Sequence, residues 1–218
     1  MTRSTIFNIN CRRCPRLAAF LDDVARQYPS YHAKPVAPFG DARARLLIVG
    51  LAPGMHGANA SGRPFTGDHA GIILYETLYK FGFSNQPQSH ALNDGLKLIN
   101  CRITNAVKCL PPQNKPVGEE ITTCNDYLKH EISTLPVDAV VLALGSIAHN
   151  SVIKSLDLKV KQFPFGHNHS HTLNQGLTLV DSYHCSRYNT QTKRLTTPMF
   201  HKVFQHIKTL LAHPAKGI

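Results

Sequence analysis

No apolar run in this 218-residue chain reaches the roughly 18 residues that a membrane-spanning helix needs. The start, Met1-Thr2-Arg3-Ser4, leads into no apolar stretch resembling a secretory signal. Acidic residues are scarce, 13 against 24 Lys plus Arg, and charged residues make up only 17% beside 42% hydrophobic. Low charge with ample apolar content argues against wholesale disorder. Repeats, low-complexity tracts and linker-like stretches are missing too. The expectation is a compact, monomeric, cytoplasmic protein without a membrane partner, folded as a single domain over 1–218.

The formal charge of +11 is unevenly placed. Residues 1–40 carry six basic and two acidic side chains, 41–138 nine of each, and 139–218 nine against two. Two basic ends around a neutral middle suit a polyanionic partner, and nucleic acid is the commonest.

Four apolar runs read as strands: 45–49, 103–107, 139–144 and 177–180. Near-continuous apolar character suits a parallel sheet covered on both faces. Helical patterns alternate with these runs. Pro15 opens one with Leu17, Phe20, Leu21, Val24 and Tyr28 on a face. Glu119 and Glu120 open another with Ile121, Cys124, Leu128 and Ile132. Ala148/Val152/Leu156 follow the third strand, and Thr197-Pro198 opens a last helix through Leu211. This alternation predicts an α/β layered fold with ligands at the carboxyl ends of the strands.

The cysteines are Cys11, Cys14, Cys101, Cys109, Cys124 and Cys185. Without a secretory signal, a disulfide framework is not expected. Cys11 and Cys14 form a C-x2-C pair, and Cys109 and Cys124 a C-x14-C pair. Together they would make a four-thiolate site, for either tetrahedral zinc or a four-iron cluster. Arg12, Arg13 and Arg16 would favour thiolates at the first pair. Cys101 and Cys185 are not expected to ligate.

Three stretches follow strand ends. The first runs from Gly50-Leu51-Ala52-Pro53 to Gly62-Arg63-Pro64-Phe65-Thr66-Gly67-Asp68. The second is Asn105-Ala106-Val107-Lys108-Cys109 to Asn114-Lys115-Pro116, and the third His184-Cys185-Ser186-Arg187-Tyr188-Asn189-Thr190. With the cysteines, these motifs (GLAP, GRPFTGD, NAVKC-x-PP-x-NKP and H-x-SR-x-NT) resemble the uracil-DNA glycosylases, most closely the type b (family 5) iron–sulfur branch. The resemblance runs from Cys11 to about Phe200. It implies a three-layer α/β/α fold with a central four-stranded parallel sheet. It also implies a [4Fe-4S] cluster rather than zinc on Cys11, Cys14, Cys109 and Cys124.

The activity so implied is hydrolysis of the N-glycosidic bond of deaminated bases in DNA, uracil first and hypoxanthine or xanthine further. A glycosylase must extrude the base into a snug pocket. Gly50, Ala52, Phe65, Asn105 and His184 would contact it. Phe65 would stack on it, worth roughly 1–3 kcal/mol. Asn105 would match uracil's pairing edge. His184 would donate to O2, where negative charge builds as the base leaves. Ala52 stands where other branches carry a water-orienting residue, so the resemblance points to Asp68 for that task, although Asp68 also heads the helical pattern Ile72/Tyr75/Tyr79 and is a natural N-cap. Arg63, Ser186, Arg187, Tyr188, Lys193 and Arg194 would meet DNA, Tyr188 as a wedge. Cys185 replaces a proline common in the wider superfamily.

The run His167-Asn168-His169-Ser170-His171 reads as a polar turn. A competing reading is a non-catalytic, four-cysteine DNA-binding module, which needs neither Asn105, His184 nor Asp68. A zinc nucleobase deaminase is excluded, because it requires H-x-E and P-C-x-x-C, and the sequence has no H-x-E.

Overall fold

A computed structural model describes residues 6–213, so the Met1–Ser4 start lies outside the described residues. One mixed sheet forms the centre. Its strands are β1 (Phe39–Gly40), β2 (Leu46–Gly50), β3 (Cys101–Asn105), β4 (Val140–Leu144), β5 (Ser170–Thr172) and β6 (Thr178–Ser182), in the order β1-β3-β2-β4-β6-β5. The four inner strands are parallel, as the apolar runs predict. The two short outer ones pair antiparallel and make the sheet six-stranded. Strands of two or three residues carry too little pattern to be read from sequence.

Alternation sorts the side chains between faces. Leu46, Ile48, Ile103, Leu142, Leu144 and Val180 point to one face, against α3 (His69–Lys80) and α7 (Thr197–Ala212). Leu47, Val49, Val141, Ala143 and Leu179 point to the other, against α4 (Gly118–Ser133) and α5 (Ser146–Ser155). Helices on both faces explain why β2 and β4 are apolar and buried at every position, while β3 and β6 admit polar residues such as Arg102, Thr104 and Asp181. Truncating a fully buried residue such as Leu142 to alanine would cost about 2–5 kcal/mol.

Helix α1 (Pro15–Gln27) packs Leu17 with Val107, Cys124 and Tyr127, beside the carboxyl end of β3. On α3 the observed face departs from the aromatic spacing. Ile73, Leu74, Tyr75 and Leu78 are buried, whereas Ile72 and Tyr79 are exposed. The compact aliphatic set outcompetes the Ile72/Tyr75/Tyr79 stripe for the core. Two short helices complete the chain, α2 (Ala58–Ser61) and α6 (Arg187–Gln191). Among the described residues no helix is long and apolar enough to cross a membrane.

Candidate active site

The carboxyl ends of the inner strands open into a cavity of about 560 Å³. Its wall includes Ala52, Phe65, Asp68, Asn105, Leu144, Tyr183 and His184. Asn105 ends β3 opposite Gly50, which ends β2. A Cβ on Gly50 would come within 2.3 Å of Asn105 Oδ1 and 2.7 Å of Phe65 Cζ, so only glycine lets both approach the strand end. Asn105 is 4% exposed, and its Oδ1 has no hydrogen-bond partner among the described residues. An unpaired buried acceptor costs about 1–3 kcal/mol, and a ligand donor would recover it.

Phe65 is buried with φ of +54°, the left-handed region that a bulky residue rarely adopts. Its loop is held from both sides. Tyr75 Oη donates to Pro64 O at 2.8 Å, and Ser61 Oγ lies 3.2 Å from Thr66 O. The strain therefore sits at a place where the scaffold fixes an aromatic face against the cavity. The rings of Phe65 and His184 lie 6.0 Å apart at 28°.

Burial pushes His184 down to about 4, so at neutral pH its imidazole is neutral and keeps one N–H to donate. Asn189 Nδ2 donates to the His184 carbonyl at 2.8 Å and fixes the backbone that presents the ring. Asp68 caps α3, its Oδ1 accepting the Gly71 N–H at 2.8 Å. Capping uses one oxygen only. The other, Oδ2, lies beside Gly57, where an added Cβ would approach to 2.7 Å. Burial raises the Asp68 carboxyl above the usual range, against the pull of N–H groups from Gly71 and Ala70.

The third motif forms the rim. Ser186 caps α6 by accepting the Asn189 N–H. Arg187 and Arg194 line the cavity, and Arg194 lies over the Tyr183 ring at 4.7 Å. Tyr188 is 71% exposed, and Lys193 is exposed as well. His69 Nε2 lies 3.0 Å from Thr190 Oγ1, tying the start of α3 to α6.

Arg63 departs from the expectation of a DNA contact. It is 2% exposed, and its guanidinium donates to Asp94 at 2.8 Å, to Ser89 Oγ at 3.0 Å and to Leu92 O at 2.6 Å. Burial alone would raise Asp94, but Arg63 and three backbone N–H groups hold its carboxyl far below the usual range. Arg63 is thus a brace beneath the Phe65 loop. The arginines near the first cysteines are also engaged. Arg12 pairs with Asp22, Arg13 with Asp126 and Arg16 with Glu120.

Cys11, Cys14, Cys109 and Cys124 line one small pocket with Leu17, Lys108 and Tyr127. Cys101 and Cys185 lie elsewhere in the core. The Lys108 backbone N–H donates to Cys124 Sγ at 3.2 Å. Burial pushes Cys124 up to about 11, with Lys108 opposing, and raises Cys14 and Cys109 as well. A metal centre there would displace those protons. Among the described residues only His149, His171 and Asp181 bring three metal-ligand atoms within 4.8 Å of one another. No three of the four sulfurs do. A tetrahedral zinc at about 2.3 Å would hold its sulfurs roughly 3.8 Å apart, so the donor set and its spread fit a multi-iron cluster better.

Two buried pairs were not legible as site features. Lys108 meets Glu131 of α4 at 2.7 Å beneath Asn105. His149 of α5 meets Asp181 of β6 at 2.7 Å. Lys108 follows Ala106-Val107 and Asp181 follows Leu179-Val180, and those interruptions were the available signal, whereas Glu131 and His149 stand among polar neighbours in their helices. The histidine run is only partly a turn, since Ser170–Thr172 forms β5 and brings His171 toward Asp181.

Comparison with known proteins gives a consistent picture. Residues 37–208 match the family described as the uracil DNA glycosylase superfamily. The chain is 44% identical over 205 residues to a type-5 uracil-DNA glycosylase of Thermus thermophilus, covering 92% of this chain and 93% of the relative. It is 40% identical to a type-5 uracil-DNA glycosylase of Pyrobaculum aerophilum, covering 90% and 87%. A type-4 uracil-DNA glycosylase of Archaeoglobus fulgidus is 30% identical, over 69% of this chain and 62% of the relative.

Proposed function

The chain belongs to the uracil-DNA glycosylase superfamily, and on that premise we propose that it hydrolyses the N-glycosidic bond of uracil in DNA, leaving an abasic site. The observation that carries this reading is the unpaired Oδ1 of buried Asn105, set in the cavity wall with Phe65 and His184. That acceptor suits the N3–H of uracil, and the same side chain's amide can donate to O4. Phe65 supplies the stacking face.

As the bond between C1′ and the base nitrogen breaks, its electron pair passes to the base. Neutral His184 donates a hydrogen bond to O2, where that charge collects. A water held by the Asp68 carboxylate adds to C1′, and its proton passes to Asp68 and then to the departing base. The same carboxylate stabilises the cationic sugar. No lysine is among the cavity-lining residues, in keeping with water as the nucleophile. Arg187, Tyr188, Lys193 and Arg194 would face the DNA backbone and the gap left by the extruded base. Cys11, Cys14, Cys109 and Cys124 would hold a [4Fe-4S] cluster. When bound it would cross-link the start of α1 to the loop after β3 and to α4. We take the protein to act as a monomer of one domain.

Hypoxanthine and xanthine are proposed as further substrates on the resemblance to the type b branch. The cavity of about 560 Å³, which also takes in the rim of Arg187 and Arg194, has room for them. The test is base release from duplex oligonucleotides bearing uracil, hypoxanthine or xanthine. Uracil release is expected, with slower release of the purines. DNA binding without release of any base would overturn the enzyme reading in favour of a binding module.

A further inference from the structure

His149 and Asp181 are both 0% exposed, yet neither contributes to the cavity surface. His149 Nδ1 lies 2.7 Å from Asp181 Oδ1, and its Nε2 lies 2.8 Å from the Phe163 carbonyl. Both partners are acceptors. A neutral imidazole with ionised Asp181 would leave one of these short contacts without a proton. The second Asp181 oxygen, Oδ2, accepts the Gly166 N–H at 3.3 Å, so the carboxylate already serves a donor on that side. The arrangement therefore holds one proton between Nδ1 and Oδ1 and a second on Nε2 toward the Phe163 carbonyl.

The pair joins segments that each supply a wall of the cavity. His149 lies on the first turn of α5, just after Ser146 and Ile147. Phe163 and Gly166, held by hydrogen bonds to the pair, bracket Phe165, whose ring stands 5.7 Å from His149. Asp181 lies on β6, whose end at Ser182 leads directly into Tyr183 and His184, and Tyr183 stands 6.2 Å from Phe165. Ser146, Ile147, Phe165, Tyr183 and His184 all line the cavity.

We propose that His149 and Asp181 are positioning residues whose shared proton locks the Ile147, Phe165 and Tyr183–His184 walls into one frame. The pocket then loosens as that proton leaves. The inference rests on the reading that this cavity receives the flipped base. Burial opposes the charge on His149, but the Asp181 hydrogen bond and charge, with the Phe163 carbonyl, raise its pKa on balance. The other titratable neighbours are on the β5 side. His171 Nε2 lies 3.9 Å from Asp181 Oδ2 and 3.1 Å from Pro164 O, and the His169 ring stands edge-on to His171 at 4.6 Å. Burial lowers His171, so it stays neutral near pH 7 and does not replace the His149 charge. A histidine raised in the folded state gives full stabilisation below its unfolded pKa. That stabilisation is lost as pH rises through the folded value.

Two measurements test this. In long-range proton–nitrogen spectra of histidine-labelled protein, assigned with His149→Gln, His149 should show both ring nitrogens protonated at pH 7. A neutral tautomer pattern there overturns the proposal. In single-turnover base release, Asp181→Asn should move the alkaline limb to lower pH by at least about one unit, a tenfold change in the protonated fraction. Cluster absorbance and DNA affinity should be preserved. Superimposable alkaline limbs in a folded variant also overturn it, as does an equivalent of zinc bound beyond the iron and lost in Asp181→Asn. If the wild-type protein releases no base at any pH, the functional reading fails while the nitrogen spectra still decide the protonation state.

Discussion

Lys108 Nζ lies 2.7 Å from a Glu131 oxygen in an ion pair whose side chains are 1% and 4% exposed, and it donates to the Asn105 carbonyl at 2.9 Å. Among the described residues the Glu131 oxygens accept no well-directed hydrogen bond, so attraction between opposite charges holds the pair. One ammonium thus braces the backbone of the residue proposed to read the base. Its own N–H meets Cys124, and Cys109 follows it in sequence.

Removing one partner strands the other charge. Glu131→Leu or Lys108→Met should each cost about 3–5 kcal/mol, whereas the double variant carrying both should cost much less than the sum. Urea unfolding of the variants measures this directly. Equal, additive losses would show that the pair does not act as a unit.

Gly57 sets the position of Asp68. Its alanine variant would place a Cβ 2.7 Å from both Asp68 Cβ and Oδ2, so the carboxylate must shift. A displacement of about 1 Å at a reacting group can cost roughly 10²-fold. Gly57→Ala should therefore lower single-turnover uracil release by about that factor. Its stability loss should stay near the 1–3 kcal/mol typical of overpacking. Unchanged release would separate Asp68 from the chemistry and leave it the helix cap.

The inner sheet was legible because strands buried on both faces must be apolar throughout, as 139–144 is. The outer strands were not, because β1 and β5 are too short to carry a period. The helix-capping role of Asp68 was legible, and Oδ1 serves it, while Oδ2 lies beside Gly57 and is left for the role proposed above. Arg63 was misread as a DNA contact because a basic residue in a loop looks alike whether it faces phosphate or Asp94. Asp94 lies 31 residues on, in a segment with no strong pattern. Lys108–Glu131 and His149–Asp181 depend on elements brought together only by the layered topology.

The acid side of the pH profile follows from two groups. His184 is neutral above about pH 4, and Asp68, raised by burial, ionises later than an ordinary aspartate. Uracil release should therefore rise with pH along a limb set by Asp68, and Asp68→Asn should abolish that limb. Stability has its own signature. Between pH 6.5 and about 4 the unfolded chain binds a proton that folded His184 does not. Stability should then fall on acidification by up to roughly 3 kcal/mol from this group. His184→Ala should flatten that fall in denaturant titrations at pH 4, 5 and 6.5; an identical slope would remove His184 as its source.

The cysteine centre predicts selective metal loss. Cys109→Ser or Cys124→Ser should lower iron from about four atoms per chain and reduce visible absorbance. Cys101→Ser, fully buried among Leu46, Ile103 and Leu74, should leave iron content unchanged. Because the site ties the start of α1 to α4, iron removal should also lower the melting temperature. One zinc per chain, with no iron in protein purified without oxygen, would contradict the cluster.

Charge placement gives the last prediction. Arg187 and Arg194 lie at the cavity rim and pair with no carboxylate among the described residues, whereas Arg12 is matched by Asp22 at 2.5 Å and Arg16 by Glu120 at 2.7 Å. A phosphate contact releases about one counterion, so each one removed should reduce the log–log salt slope of DNA binding by about 0.9. Arg187→Gln should lower the slope by about that amount, while Arg12→Gln should barely change it, because Asp22 already occupies the guanidinium. Arg194→Gln should do the same as Arg187→Gln and also release Tyr183 from its cation–π contact, which adds a loss of affinity that salt does not screen. Fluorescence anisotropy across a salt series separates the two effects. Equal slopes for Arg187→Gln and Arg12→Gln would detach the rim arginines from the DNA and leave the +11 charge without an assigned partner.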